Sequence, residues 1–384
     1  MSTPQHILMV AGEPSGDLHG AGVIRELKRM HSSLHVFGIG GERMRAAGQE
    51  QLYTTRQMAM VGFTEVLKHL PFVFSVLRHL EKEVRRRKPG CAVLIDYPGF
   101  NLRLAKRLKA QGIPILYYIA PQVWAWGANR IPKMAKLIDH MAVVFPFEAE
   151  LFRRYGLPTT FVGHPLLEQI KPECSAREFY QTHRLHRQEK ILTLLPGSRR
   201  QEIEALLPDM LKTATILARS ISDLRLFLAR SPDISDAHYD TILAQFPHCR
   251  VTSLRNQTYS LMQYSHACLV ASGTATLETA CFATPMVIVY RVSRLTYAIG
   301  RRVVRLPYIG LANIVAGEKV VPEYIQNAFE PERVANELFR LLTDADYSNR
   351  IRQKLQQVRR KLGEPGASKR VAKLIVETLC AGKV

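Results

Sequence analysis

"ACLVASGTATLETA" (residues 267–280) carries the pattern on which the fold turns. Five apolar residues are followed by Ser272, Gly273 and Thr274, and then by a helix-length segment. A short unbroken apolar run reads as a strand buried on both faces, as in a parallel sheet covered by helices. Glycine and hydroxyl residues straight after it read as the entry to a helix. The same order of strand, glycine-containing turn and helix recurs at "HILMVAGEPSGD" (6–17) and "ILTLLPGSRRQE" (191–202).

Working outward, "VFGIG" (36–40), "CAVLID" (91–96), "IPILYYI" (113–119) and "HMAVVF" (140–145) continue the strand rhythm in the first half. The rhythm breaks near 162–175 and restarts with "ILTLL" (191–195), "LRLFLAR" (224–230), "RVTSL" (250–254) and "PMVIVYRV" (285–292). Strands alternating with helices predict parallel sheets. A chain of 384 residues is long for one core, so the reading is two α/β domains, each doubly wound and Rossmann-like, facing a cleft. Their expected bounds are 1–170 and 171–345. Residues 346–384 read as charged helices broken at "GEPG" (363–366), packing back across the domains or onto a second subunit of a homodimer.

The N-terminus lacks the basic start and long apolar run of a signal peptide, and no window reaches the ~18 apolar residues of a spanning helix. A cytoplasmic protein is expected. Six cysteines scattered without a C-x-x-C pair predict reduced thiols and no zinc site. A formal net charge of +20 draws the chain toward polyanions: nucleic acid, anionic lipid or phosphorylated substrates.

In open α/β sheets, ligands lie beyond the carboxyl ends of the strands, where helix N-termini offer free N–H groups and positive dipole ends. Three such junctions are rich in glycine and hydroxyls: 11–17, 196–202 and 271–278. None matches G-x-x-x-x-G-K-[ST], and "GIGGERMRAAG" (38–48) lacks the third glycine of G-x-G-x-x-G, which argues against a P-loop or dinucleotide enzyme.

Gly273 permits close backbone approach to a phosphate, or simply makes a tight turn. Glu278, about one helical turn on, is placed to accept from a ribose diol, to cap the helix, or to pair with an arginine. Arg199, after Gly197 and Ser198, is placed for a bidentate phosphate contact; the plainer alternative is a surface arginine. Asp96 ends a strand and is either a general base or a helix cap. Glu13 and Asp17, with Ser15 and Gly16 in the first loop, are placed for sugar hydroxyls or for capping.

Residues 62–90, "GFTEVLKHLPFVFSVLRHLEKEVRRRKPG", combine a broad apolar face with a basic tail at Arg85, Arg86, Arg87 and Lys88. Phe63, Val66, Leu67, Leu70, Val73, Phe74 and Leu77 share one helical face, and Phe72 and Val76 widen it. Pro71 is expected to bend or divide the helix. Such a surface suits an anionic membrane, each basic residue contributing ~1 kcal/mol; the alternative is a core helix with a solvated end. No interleaving of aromatic and basic residues favours nucleic acid.

Together "AGEPSGD" (11–17), "LIDYPGFN" (94–101), "YIAPQVWAWGANR" (118–130), "FPFE" (145–148), "VGHPL" (162–166), "LLPGSR" (194–199), "SGTATLE" (272–278) and "LANIVAG" (311–317) resemble, in order, the sequence blocks of lipid-A-disaccharide synthases. Ala312 and Ala120 stand where that family usually has proline and serine. The resemblance implies an inverting glycosyltransferase of the B architecture. Its substrates would be UDP-2,3-diacylglucosamine and 2,3-diacylglucosamine 1-phosphate (lipid X), joined β-1,6 with release of UDP and with neither metal nor cofactor. It implies Asp96 as the base on the acceptor 6-hydroxyl, with Glu13 and its loop near the acceptor. Arg199, beside Ser198, and residues 272–274 would meet the diphosphate, Glu278 the ribose and Asn313 the nucleotide region. The basic, apolar stretch then reads as a peripheral anchor on the cytoplasmic face of the inner membrane. The alternative is another UDP-sugar enzyme of this architecture, acting on a lipid-linked muramyl peptide or epimerising a UDP-sugar at C2.

Overall fold

The computed structural model describes residues 5–59, 66–293, 297 and 306–381. The chain divides into two compact units, Met1–Glu168 with Leu362–Val384, and Gln169–Lys361.

In the first unit the strands are β1 (His6–Ala11), β2 (His35–Gly40), β3 (Glu50–Thr54), β4 (Cys91–Ile95), β5 (Ile115–Tyr118), β6 (His140–Val143) and β7 (Thr159–Phe161). They form one parallel sheet in the order β3-β2-β1-β4-β5-β6-β7. Every residue of β4 is buried, because helices cover both faces, which is why "CAVLI" shows no polar alternation. The second unit has β8 (Lys190–Leu195), β9 (Leu224–Arg230), β10 (Val251–Arg255), β11 (Ala267–Ala271), β12 (Met286–Tyr290) and β13 (Glu323–Ile325), in the order β10-β9-β8-β11-β12-β13, again parallel.

Strand order reverses between β1 and β4 in one unit and between β8 and β11 in the other. At such a switch point the connections leave on opposite faces of the sheet and open a crevice at the strands' carboxyl ends.

The helix Val66–Arg87 runs unbroken through Pro71. Only the backbone bond to the residue 67 carbonyl is forfeited, early enough that the helix continues. Phe63 lies outside the described residues, as do the side chains of Val66, Leu67 and Leu70. Of the remaining expected membrane-facing residues, Val76 and Leu77 are buried in the core against the sheet. Phe72 and Val73 are half-buried against that core, and Phe74 is 44% exposed. The expected face divides: the sheet takes Val76 and Leu77, which are withdrawn from the surface, while Phe74, expected beside Leu77, turns to solvent.

The helix Ala345–Lys361 packs on Thr274–Cys281 and Leu311–Ala316 within the second unit. After Gly363 and Gly366 the last helix, Ala367–Ala381, rejoins the first unit and packs on Pro14–Met30 of its own chain. Glu168 accepts from the Ser368 backbone N–H at 2.8 Å and from its hydroxyl at 2.6 Å. No helix among the described residues is long and apolar enough to cross a membrane.

Candidate active site

In the first unit, β1 ends at Ala11 and the helix Pro14–Met30 begins after Glu13. A Cβ on Gly12 would lie 2.2 Å from the Tyr97 ring, so glycine here lets the β1 turn pass the β4 turn. Glu13 and Ser15 are exposed and Gly16 is buried.

Asp96 follows β4 with φ 44°, and Tyr97 follows with φ 48°. Two successive non-glycine residues in the left-handed region are costly and persist only where surrounding bonds impose them. Here the Asp96 N–H donates to the Tyr118 carbonyl at 2.9 Å. The Asp96 carbonyl accepts from the Tyr117 hydroxyl at 2.5 Å and from Asn101 Nδ2 at 2.7 Å, and Asn101 also donates to the Ile95 carbonyl at 3.1 Å. Tyr97, rather than Asp96, occupies the cap position of the helix Pro98–Lys109. Burial, reinforced by the Glu13 charge, pushes the Asp96 carboxyl up to about 6, against a smaller opposing pull from the Tyr97 N–H.

Asp17 does not join this group. It is buried, and its Oδ1 accepts from the N–H groups of Gly41 (2.7 Å) and Met44 (2.9 Å), its Oδ2 from that of Arg43 (3.1 Å). It caps the helix Glu42–Ala46 from a distance, and a carboxylate so committed has little left for an acceptor sugar.

Glu148, which no spacing in the sequence singles out, is 1% exposed overall. Its oxygens accept from Trp124 Nε1 at 2.9 Å and the Phe145 N–H at 3.1 Å. Burial pushes its carboxyl up to about 7, with Asp96 among the contributing charges. His164 is half-buried against the Phe145 ring, 5.2 Å between centroids, and desolvation pushes its pKa down to about 3. A neutral histidine that accepts from the Leu166 N–H at 3.2 Å is a packing group at neutral pH.

The second unit holds a cavity of about 390 Å³ at its switch point. Its walls include Gly197, Ser198, Arg199, Ser272, Gly273 and Thr274, with Glu278 deeper in and the end of β9 opposite. Two helices, Arg200–Ser220 and Thr274–Cys281, start here and present their unpaired N–H groups and positive dipole ends. The space a Cβ on Gly273 would fill is open, so a ligand can approach the backbone there. Arg199 is 81% exposed at the side chain and, among the described residues, pairs with Glu202 at 2.8 Å. That exposed pair is weak enough to yield to a phosphate. The Ser272 hydroxyl donates to the Ile309 carbonyl at 3.1 Å and so anchors the neighbouring loop.

Asn313 is not a ligand residue in this geometry. It is fully buried, donating from Nδ2 to the Val321 carbonyl (2.9 Å) and Glu323 Oε1 (2.8 Å). Its Oδ1 accepts from the N–H groups of Val320 (2.8 Å) and Val321 (3.0 Å). Glu323 in turn accepts from the Ile309 and Gly310 N–H groups, both at 3.0 Å. Asn313 therefore reaches the 272–274 junction through Glu323 and the 309–310 turn that receives Ser272. Ala312 occupies the second position of the helix Leu311–Ala316, where the first-turn N–H is unpaired and a proline would also fit. Among the described residues no cluster of three or more His, Cys, Asp or Glu is arranged to hold a metal ion.

The fold is shared by known proteins. In solved structures the fold resembles UDP-GlcNAc 2-epimerase of Neisseria meningitidis bound to UDP-GlcNAc, at TM-score 0.61 and 14% identity, covering 98% of this chain and all of that one. It also resembles MurG of Acinetobacter baumannii, at TM-score 0.56 and 14% identity, covering 97% of this chain and 100% of that one. At such identities the likeness is one of fold. In sequence, a lipid-A-disaccharide synthase of Geobacter sulfurreducens is 43% identical over 378 residues, 98% of each chain. One of Myxococcus xanthus is 38% identical over 386 residues, spanning both chains completely. The profile described as lipid-A-disaccharide synthetase matches residues 7–378, and with this coverage the chain belongs to that family.

Proposed function

We propose that the protein transfers a 2,3-diacylglucosaminyl group from UDP to the 6-hydroxyl of 2,3-diacylglucosamine 1-phosphate, with inversion at the anomeric carbon. The bond from the acceptor O6 to the anomeric carbon forms as the bond from that carbon to the diphosphate breaks. The hydroxyl proton passes to the Asp96 carboxylate, and UDP departs with the bonding pair. The observation that carries this reading is Asp96 itself: a carboxyl at the sheet's switch point, fixed by two bonds to its carbonyl, with a pKa pushed up to about 6. A base of that strength is mostly ionised at neutral pH yet basic enough to take a proton from a hydroxyl under attack.

In the same reading the second unit's cavity takes UDP. Arg199 and the two helix N-termini meet the growing negative charge of the leaving diphosphate, which is where preorganised donors accelerate such a step. Glu278 takes the ribose. The exposed Phe74 and the basic end of its helix dock on an anionic membrane at its cytoplasmic face, where diacylated substrates reside.

The test is UDP release in mixed detergent micelles, from UDP-2,3-diacylglucosamine, with and without 2,3-diacylglucosamine 1-phosphate. Acceptor-dependent release with a disaccharide product is expected. Release independent of acceptor would instead indicate hydrolysis or epimerisation, and no release from folded, UDP-binding protein would show that the substrates are wrong.

A further inference from the structure

Glu278 lies in the second turn of the helix Thr274–Cys281, whose cap is Gly273. It is the fifth residue of the helix, too far along to cap it, and no side chain caps this end; the Thr276 hydroxyl donates to the Gly273 carbonyl at 2.8 Å. The carboxylate is half-buried, and its neighbour is the Tyr259 hydroxyl, which donates to Oε1 at 3.1 Å.

Tyr259 is itself rigidly mounted. Glu173 accepts from the N–H groups of Tyr259 (3.1 Å) and Ser260 (2.7 Å), while the Ser260 hydroxyl accepts from the Glu173 N–H (2.9 Å) and Cys174 N–H (3.2 Å). The phenol ring packs against Phe282, 5.9 Å between centroids. The first residues of the second unit thus brace the turn that aims the hydroxyl at Glu278. Burial disfavours the Glu278 charge and the tyrosine bond favours it.

Resting on the UDP reading of this cavity, we infer that Tyr259 is a positioning residue for ribose recognition. Its hydroxyl occupies Oε1 of Glu278 and fixes the carboxylate plane, so that Oε2 accepts from the ribose diol. A glutamate without that anchor would rotate about its terminal torsion, which is soft, and would hold the diol in a poorer geometry. Tyr259 then sets how well the protein tells ribose from deoxyribose, without touching the nucleotide.

The experiment is calorimetric titration of the full chain and its Tyr259→Phe variant with UDP and with 2′-deoxy-UDP. The native protein should prefer UDP by about tenfold or more, the worth of one charge-assisted bond. In Tyr259→Phe that preference should shrink severalfold, through weaker UDP binding with 2′-deoxy-UDP affinity little changed. Equal weakening of both ligands would reduce Tyr259 to general structure and overturn the inference. A native protein with no preference would overturn the ribose role of Glu278 as well. Glu278→Gln and the double variant complete the cycle: additive losses of preference would show that the two side chains act independently, against the inference. If Tyr259→Phe does not fold, Glu173→Gln, which loosens the mount at one remove, should lower the same preference; an unchanged preference there would also count against it.

Discussion

Replacing Asp96 by asparagine should stabilise the first unit while disabling the reaction, and the stability gain should depend on pH. Burial, with help from Glu13, raises the Asp96 pKa from 3.8 to about 6. A rise of about two units corresponds to about 3 kcal/mol by which the folded state disfavours the ionised carboxylate. Because the folded pKa lies above the unfolded one, the native protein holds more protons through that window, and stability falls as pH rises through it. The full penalty applies above about pH 6 and vanishes below about pH 4. Asparagine escapes it and tolerates the left-handed backbone as well as aspartate does. Thermal unfolding of Asp96→Asn should therefore show a gain of up to about 3 kcal/mol at pH 8, or roughly 5–10 °C in a unit of this size. Near pH 4 the two proteins should coincide. Turnover should fall by roughly 10² to 10⁴, and the native kcat/KM should lose activity below a midpoint near 6. A variant no more stable than the native protein at pH 8, or one that keeps its turnover, would refute the reasoning.

Other perturbations separate ligand contacts from scaffolding. Arg199→Ala should weaken UDP binding by about 1.5–3 kcal/mol in calorimetry and leave stability unchanged, since its exposed pair with Glu202 contributes little. Asn313→Ala should do the reverse, costing about 2–5 kcal/mol in denaturant unfolding of the second unit, because it strands the buried Val320 and Val321 N–H groups and removes one of the two donors to Glu323 Oε1. Phe74→Ser should reduce co-sedimentation with anionic vesicles at unchanged stability. Val76→Ser should cost about 2–4 kcal/mol of stability by placing a hydroxyl in the core.

The central strands were legible because burial on both faces demands continuous apolar sequence, as in "CAVLI" and "ACLVA". β3, β7 and β13 gave no such signal. Each is a sheet edge, only three to five residues long and, Thr159 apart, half-buried or exposed, so little forces its sequence to be apolar. The site followed the same division. Loops next to strand ends could be read from glycine and hydroxyl residues, but partners brought from elsewhere could not: Tyr259 lies on a different helix from Glu278, and Tyr117 on a different strand from Asp96. Asp17 and Asn313 misled for one reason. A buried carboxylate or amide in the first turns of a helix looks the same in sequence whether it meets a ligand or the chain's own N–H groups.

What separates the two cases physically is the balance of partners around each acid. Asp209 has Lys212 at 2.8 Å and a close contact with Arg291, and Glu83 has both Arg86 and Arg87; their carboxyls are held low, that of Glu83 at about 2. Glu148 is buried and Asp96 and Glu278 are half-buried, none with a cation among its principal influences, and all three are pushed up. A fold gains nothing in stability from an unpaired buried acid, and at Asp96 it bears two left-handed residues as well. Perturbed carboxyls that stability does not explain are candidates for chemistry or ligand binding. Glu148 has an indole and backbone donors of its own, which account for it as scaffolding of the 145–148 turn. Asp96 and Glu278 lie at the carboxyl ends of switch-point strands or one turn beyond, where the proposed reaction would bring a substrate hydroxyl as a further donor beside the Tyr97 N–H and the Tyr259 hydroxyl.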